Sequence, residues 1–210
     1  MTVLPGGIGA SSGDTLVTTG PLFTSGNVYY VDSETGSDAN GGKSRLDPKA
    51  TLSSAVSAAS AGDMIVLLST HAETLTSALS ISKTLVIVGE GASSGLPTVK
   101  FTLNAAAANL FNITGDGVEL RNIFFEEESQ ACSAARILVN ADRVTMHGCY
   151  FQIDGNLTPA CVSLYTNAAD IFLENCTFVS TSAAQADPAD NDPPSSAVSS
   201  EFGMYATGSR

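Results

Sequence analysis

Tryptophan is absent from the sequence, and charged residues are scarce. Charged side chains make up 14% of the 210 residues, about half of the roughly 25% that is usual for soluble proteins. This scarcity excludes a solvated helical bundle or a coiled coil. Nine lysine and arginine residues face 21 aspartate and glutamate residues, which gives a formal charge of −12. Such a charge repels a phosphate backbone, so we expect no nucleic-acid partner.

Long apolar runs are absent as well. No segment approaches the roughly 20 consecutive apolar residues that span a bilayer, so we expect no membrane partner. Residues 1–26 contain no lysine or arginine and lack the apolar core of a secretory signal. We therefore expect the chain to begin its life in the cytoplasm.

Cysteine is sparse, and its spacing predicts no disulfide framework. The four cysteines all fall between Cys132 and Cys176, a number compatible with free thiols. We expect them to be reduced and to act as small buried apolar residues.

Composition divides the chain into three parts. Residues 1–26 are rich in Gly, Ser and Thr and are expected to form an extended arm, whereas residues 182–210 form an Asp/Pro/Ser-rich tail. Between them, residues 27–181 carry short apolar segments separated by turns. One helix is predicted at residues 50–61, with Thr51 as its N-cap and Gly62 as its stop.

The apolar segments repeat. Three of them align without gaps at intervals of 26 and 27 residues: Val118-Leu120-Asn122, Val144-Met146-Gly148 and Ile171-Leu173-Asn175. Leu85, Ile87 and Gly89 fit the pattern one longer interval earlier, and Ile65 and Leu67 fit it 20 residues before that. A second set precedes the last three segments: Phe111-Ile113, Ile137-Val139 and Val162-Leu164.

A repeat of this length with inward side chains at alternate positions predicts a solenoid. The regular leucine and asparagine positions of leucine-rich repeats are missing, whereas a drifting interval suits a parallel β-helix. Equivalent residues should then stack in columns about 4.8 Å apart. The predicted columns are Ile123-Cys149-Cys176 and Phe125-Phe151-Phe178, and Asn122 and Asn175 could share hydrogen bonds along a third. The helix at 50–61 is expected to cap the first coil.

Several short motifs in the first half of this region resemble a known family. They are Val28-Tyr29-Tyr30-Val31-Asp32, Gly36-Ser37-Asp38, Asn40-Gly41, Pro48, Thr51-Leu52, Ala55, Gly62-Asp63-Met64-Ile65, Glu73-Thr74-Leu75 and Leu85-Val86-Ile87-Val88-Gly89. They resemble the opening of pectin-lyase-like proteins, especially versions found in tailed-phage virions, over roughly residues 28–180. The resemblance implies an all-β chain, a right-handed parallel β-helix of about four to five coils.

The resemblance does not extend to a catalytic site. The family's Asn-Thr-Asp, Asp-Asp, Gly-His-Gly and Arg-Ile-Lys signatures are absent, and Arg121, Arg136 and Arg143 do not stand beside an aspartate cluster. Paired carboxylates are the usual requirement for glycoside hydrolysis. We expect no catalytic, cofactor-binding or metal-binding residues, and hence no enzyme.

Three other features invite a chemical interpretation. Glu126-Glu127-Glu128 is interpreted as a solvated turn, because consecutive strand residues point to opposite faces. Asp32, Glu34, Asp38 and Asn40 have calcium-like chemistry, but their spacing does not match an EF-hand loop. His71 and His147 are expected to be ordinary surface or hydrogen-bonded histidines.

The resemblance implies a virion protein. Our preferred hypothesis is a capsid decoration protein, a homotrimer on the capsid surface that binds the major capsid protein or another virion protein. The alternative is a tail fibre or tailspike component that binds host surface polysaccharide. A secreted adhesin is disfavoured by the missing export signal.

Overall fold

The fold is described from a computed structural model that covers residues 26–104, 109–127, 136–153 and 170–180. Four short strands are described in addition as backbone: Thr2–Val3, Phe23–Thr24, Leu164–Thr166 and Met204–Ala206. Most of the predicted arm 1–26 and tail 182–210 therefore lies outside the described residues. So do Cys132, Cys161, Val162 and Glu128.

The described residues form one helix, α1 (Leu52–Ala58), and twenty strands. In chain order, the strands are β1 (Thr2–Val3), β2 (Phe23–Thr24), β3 (Val28–Val31), β4 (Met64–Leu67), β5 (Ala72–Leu75), β6 (Leu79–Ile81), β7 (Val86–Gly89), β8 (Ala92–Ser93), β9 (Leu96–Pro97), β10 (Lys100–Leu103), β11 (Phe111–Ile113), β12 (Glu119–Arg121), β13 (Phe124–Glu127), β14 (Ile137–Val139), β15 (Val144–His147), β16 (Tyr150–Ile153), β17 (Leu164–Thr166), β18 (Ile171–Glu174), β19 (Thr177–Ser180) and β20 (Met204–Ala206).

Most strands belong to three parallel sheets that the chain visits in a fixed rotation. The first sheet has the order β3-β4-β7-β12-β15-β18, the second β5-β10-β13-β16-β19, and the third β6-β11-β14-β17-β20. From β4 onward, the chain passes from the first sheet to the second, then to the third, and back to the first. The exceptions are the antiparallel pairs β1-β2 and β8-β9. The prediction of an all-β chain is confirmed by this strand-rich, parallel arrangement.

The strand register confirms the predicted intervals of 26 and 27 residues. Leu120 pairs with Met146, and Met146 pairs with Leu173. Ile87 pairs with Leu120, also as predicted.

Two predicted alignments are wrong by two residues. Ile65 pairs with Ile87, an interval of 22 and not 20. Ile137 pairs with Leu164, where the sequence alignment placed Val162. A two-residue shift leaves every side chain on the same face of its strand, so the apolar pattern alone does not distinguish the two registers.

Left-handed residues make the corners between the first and second sheets. Asn122, Gly148 and Asn175 have φ values of 53°, 61° and 53°, a conformation that glycine and asparagine adopt most easily. Each is followed by one residue before the next strand begins. Because Gly148 lies between the two asparagines, the hydrogen bonds predicted between Asn122 and Asn175 do not form. The Asn122 amide instead donates to the carbonyl oxygens of Gly89 and Gly91, each at 2.9 Å.

The predicted phenylalanine column is confirmed and is one residue longer than expected. Phe125 stacks on Phe151 with ring centroids 5.3 Å apart, and Phe151 stacks on Phe178 at 4.5 Å. Phe101 of β10 continues the column at 6.0 Å from Phe125. From the third sheet, the edge of the Phe111 ring meets Phe125 at 5.2 Å. These rings form the centre of the apolar core.

Helix α1 is shorter than predicted. Thr51 is its N-cap, as expected, and its side chain accepts a hydrogen bond from Ser54 N at 3.1 Å. The helix ends at Ala58 because Ala59 is extended, and Gly62 lies in the following turn at φ 88°. The helix packs against β3, β4 and β6. It therefore lies at the end of the sheets where the first strands are found.

Candidate functional site

The loop that follows β3, residues 32–50 (the corner loop), holds the four residues with calcium-like chemistry. Asp32 accepts hydrogen bonds from the Thr35 and Thr70 hydroxyls and from Glu34 N. Burial raises the pKa of Asp32, but these hydrogen bonds outweigh it, so the pKa lies below its usual value. The Asp32 carboxylate is therefore engaged within the loop.

The other calcium-like residues also bind within the protein. Asp38 accepts hydrogen bonds from the backbone N–H groups of Ala50 and Thr51, each at 3.0 Å. The Asn40 amide donates to Pro48 O at 2.7 Å, and Glu34 is exposed. Among the described residues, no three His, Cys, Asp or Glu side chains are grouped so that they could hold a metal ion.

The tip of the corner loop is held by charged contacts. Arg45 forms a bidentate ion pair with Glu90, in which Arg45 Nη1 donates to Glu90 Oε2 at 2.7 Å. Lys43 lies over the ring of Tyr29, 3.5 Å from its centroid. A hydrogen bond from Asp47 N to Ser44 O at 3.1 Å closes a tight turn at the tip. The tip is thus fixed from both sides.

His71 is buried where the corner loop meets helix α1, so of the two interpretations, surface or hydrogen-bonded, the hydrogen-bonded one is confirmed. Its Nδ1 accepts a hydrogen bond from Ser33 N at 3.0 Å, and its Nε2 lies 3.3 Å from Glu73. Glu73 also accepts a hydrogen bond from Leu52 N, the first residue of the helix. His71 and Glu73 together link the loop, the helix and the second sheet. Sequence reasoning missed this link, although Glu73 lies in β5 and His71 directly precedes it, both within the resemblance region.

The interpretation of Glu126-Glu127-Glu128 as a solvated turn is wrong for the two described glutamates. Both belong to β13, where they point to opposite faces. Glu126 lies outward, and it accepts a hydrogen bond from Lys100 Nζ at 2.8 Å. Glu127 is buried in line with Leu103, and its carboxylate lies 3.6 Å from Arg136 Nε. The strand continues through the acidic run because a buried cation lies against the inward glutamate.

Arg136 is the largest fully buried side chain of the described residues. Burial lowers its pKa, and the Glu127 carboxylate acts in the opposite direction. Breaking such a buried pair leaves an uncompensated charge, which makes it costly to lose. The pair of Arg136 and Glu127 therefore has a structural role.

Arg121 and Arg143 each face a single carboxylate. Arg121 forms an ion pair with Glu119 on the outer face of β12, and Arg143 lies 3.4 Å from Asp116. His147 is also buried, which excludes the surface alternative of the prediction, and its Nε2 lies 3.7 Å from Glu174. Arg121, His147 and Glu174 lie in register on three neighbouring strands of the first sheet, whereas Arg143 lies in the turn before β15.

Cys149 and Cys176 are both free and lie one above the other, as predicted. Burial raises the pKa of the Cys149 thiol, whereas the hydrogen bond between the two thiols lowers that of Cys176. The Cys176 thiol also donates to Met146 O at 3.3 Å. A protonated, buried Cys149 is a poor nucleophile, so the pair has the character of core residues.

No protein family model matches the chain, and neither the curated proteins nor the solved structures contain a match to it. Within the described residues, no helix is long and apolar enough to cross a bilayer. The features that the structure brings together are a fixed corner loop, an attached helix and a stacked aromatic core.

Proposed function

We propose that the protein is a non-enzymatic structural protein of a phage virion, and most specifically a capsid decoration protein. The proposal includes a right-handed parallel β-helix of about five coils, with α1 as its amino-terminal cap. It identifies residues 28–180 with the pectin-lyase-like superfamily on the motifs given above.

The observation that carries the proposal is the rotation of the chain through three parallel sheets. Each set of three strands adds one strand to every sheet, and the second and third sheets each reach five strands. Crossovers between parallel strands are right-handed in about 98% of cases, which favours a right-handed winding. The phenylalanine column supports the coiled architecture, though not its hand, since it requires successive coils stacked directly on one another.

The engagement of the carboxylates supports a non-enzymatic role. Asp32, Asp38 and Asp63 accept backbone N–H groups, and Glu90 and Glu126 lie against cations. Acid–base catalysis needs a carboxyl group that is free to exchange its proton with a substrate. A rigid, acidic stack of this kind instead supplies a fixed surface, with the predicted arm as its attachment to the shell.

Antibody labelling of purified virions tests the proposal. We expect gold particles over the head, in numbers that fit a protein on local symmetry axes. Absence of label from the whole particle would exclude a virion role. A reducing-end assay with host polysaccharide is the companion test, and product formation by the purified protein would contradict the non-enzymatic part.

One observation favours the alternative, a tail fibre or tailspike component. Phe124 and Tyr150 are half-exposed on the outer face of the second sheet, with ring centroids 4.9 Å apart. Thr102, Glu126 and Gln152 stand beside them in register. Aromatic rings beside polar side chains suit a sugar surface. Label at the tail, together with polysaccharide binding that Tyr150→Ala abolishes, would favour this role.

A further inference from the structure

Two exposed apolar side chains lie at opposite ends of the first sheet. Leu46 is 96% exposed at the tip of the corner loop, and Phe172 is 60% exposed on the outer face of β18. Single exposed apolar residues are common and need no explanation by themselves. These two differ because of the charges around them and the rigidity of their supports.

The Leu46 patch, formed by Lys43, Arg45 and Leu46, presents two exposed cationic side chains on a chain whose formal charge is −12. Arg45 is paired with Glu90 but keeps about half of its side chain accessible (49%), and the exposed Asp47 directly follows Leu46. Leu46 occupies a turn position where polar residues or glycine are usual. A fixed apolar tip beside exposed cations is suited to an apolar surface that carries a carboxylate.

The Phe172 patch, formed by Phe172 and Glu174, has the complementary character. Both side chains are exposed on β18, the last strand of the first sheet. Phe172 lies in register with Thr145 of β15, which lies in register with Glu119 of β12. Two outward-facing polar side chains are thus followed by a large apolar one at the edge of the sheet. The Glu174 side chain is 62% exposed and lies beside His147.

The two patches of one molecule are too far apart to meet. Lys43 lies over Tyr29 of β3, and Arg45 binds Glu90 directly after β7, so the Leu46 patch is separated from β18 by three to five strand steps of about 4.8 Å, or roughly 14 to 24 Å. We infer that the Leu46 patch of one copy binds the Phe172 patch of a second copy. Such a contact is heterologous, because each subunit contributes a different surface, and it closes into a ring when the rotation permits.

This contact would hold together the proposed homotrimer. Only the number of subunits in the ring rests on the proposed function; the contact itself does not. It is tested on the purified full-length protein without capsids. Its failure would therefore leave the virion labelling experiment unaffected.

The test uses two variants that each block one patch. We expect wild-type protein to associate with rising concentration in analytical ultracentrifugation, and Leu46→Asp and Phe172→Asp to remain monomeric. An equimolar mixture of the two variants retains one intact patch of each kind, so it should form a 1:1 dimer and nothing larger. Far-UV circular dichroism checks that both variants are folded, which their exposure leads us to expect.

A charge exchange provides the second arm. Lys43→Glu and Glu174→Lys should each weaken association about tenfold or more, a coupling of roughly 1.4 kcal/mol, and the double variant should recover most of it. Arg143→Glu is the matched control, because Arg143 is an exposed cation outside both patches. Wild-type protein that stays monomeric up to about 1 mM, the range of very weak complexes, would overturn the inference. So would blocked variants that do not pair when mixed.

Discussion

At the scale of single residues, inward position matters more than residue type. Phe151 lies between Phe125 and Phe178 with nearly parallel rings, at interplanar angles of 11° and 7°. Phe172 has the same chemistry but points outward. Phe151 and Phe172 are therefore a matched pair for measuring how much ring stacking between adjacent strands contributes to the free energy of unfolding.

We expect Phe151→Ala to lower the free energy of unfolding by about 3–5 kcal/mol, because it opens a cavity between Phe125 and Phe178 on the adjacent strands. Phe172→Ala is the control and should change it by less than about 0.5 kcal/mol, as for other surface substitutions. Urea denaturation measures both. If the two losses were equal, Phe151 would not be a buried member of the column.

The buried carboxylates predict how stability depends on pH. Burial raises the pKa of Asp63, but hydrogen bonds from Ser60 N and Asn27 outweigh it, so the pKa lies below its usual value; Asp32 behaves alike. A lowered folded pKa gives stability that is fully present above the unfolded pKa of about 3.9. That stability is lost as the pH falls from this value through the folded pKa.

We therefore expect Asp63→Asn to be less stable than wild type at pH 7 and to lose less stability between about pH 5 and pH 2. The check is urea unfolding at a series of pH values. Asp170→Asn, at an exposed position, is the comparison variant and should follow the wild-type curve. A variant curve parallel to that of wild type throughout this range would contradict the role given to Asp63.

At the scale of elements, the sequence predicts the periodic alignment of strands better than it predicts where an element ends. Leu120, Met146 and Leu173 were aligned correctly because their spacing repeats. The sequence does not identify His71, Glu127 and Arg136 as buried, because burial of a polar residue depends on which partner the fold brings to it. Helix α1 was placed correctly by Thr51 but given too long an extent, since Ala59 has no side chain that marks an end.

The end of helix α1 is held by a distant lysine. Lys83 Nζ donates to Val56 O at 2.9 Å and to Ala59 O at 2.7 Å, and lies 3.3 Å from Ser57 O. These are carbonyl groups of the last helical turn, which have few partners within the helix. A cation there is also favoured by the helix dipole.

We expect Lys83→Met to lower the free energy of unfolding by about 1–2 kcal/mol and to speed amide hydrogen exchange in residues 55–59. Ser82→Ala, at the exposed neighbouring position, should leave both unchanged. Hydrogen exchange followed by mass spectrometry resolves the helix from the sheets. Helical amides that exchange at the wild-type rate in Lys83→Met would show that the lysine does not hold the helix.

At the scale of the whole molecule, the strands described in the predicted arm do not pair with the strands of the three sheets. Strands β1 and β2 pair with each other, whereas β3 begins the first sheet by pairing with β4. Asn27 N donates to Asp63 at 2.7 Å, so the residue directly before β3 is attached to the sheets. Removal of residues 1–25 thus takes away none of the ladder hydrogen bonds described for the three sheets.

We expect the chain lacking residues 1–25 to keep its β-sheet circular dichroism and its unfolding midpoint, and to lose binding to capsids stripped of this protein. The reason is that the sparse apolar residues of the arm are the expected anchors on a partner, whereas the sheets do not depend on them. Cosedimentation of capsids with the full-length and shortened chains measures the difference. A full-length chain with the arm's apolar residues Leu16, Val17, Leu22 and Phe23 replaced by serine separates loss of anchors from loss of length, and it should also fail to bind. Binding equal to that of the full-length protein in both variants would assign attachment to the body of the molecule, with the corner loop as the next surface to test.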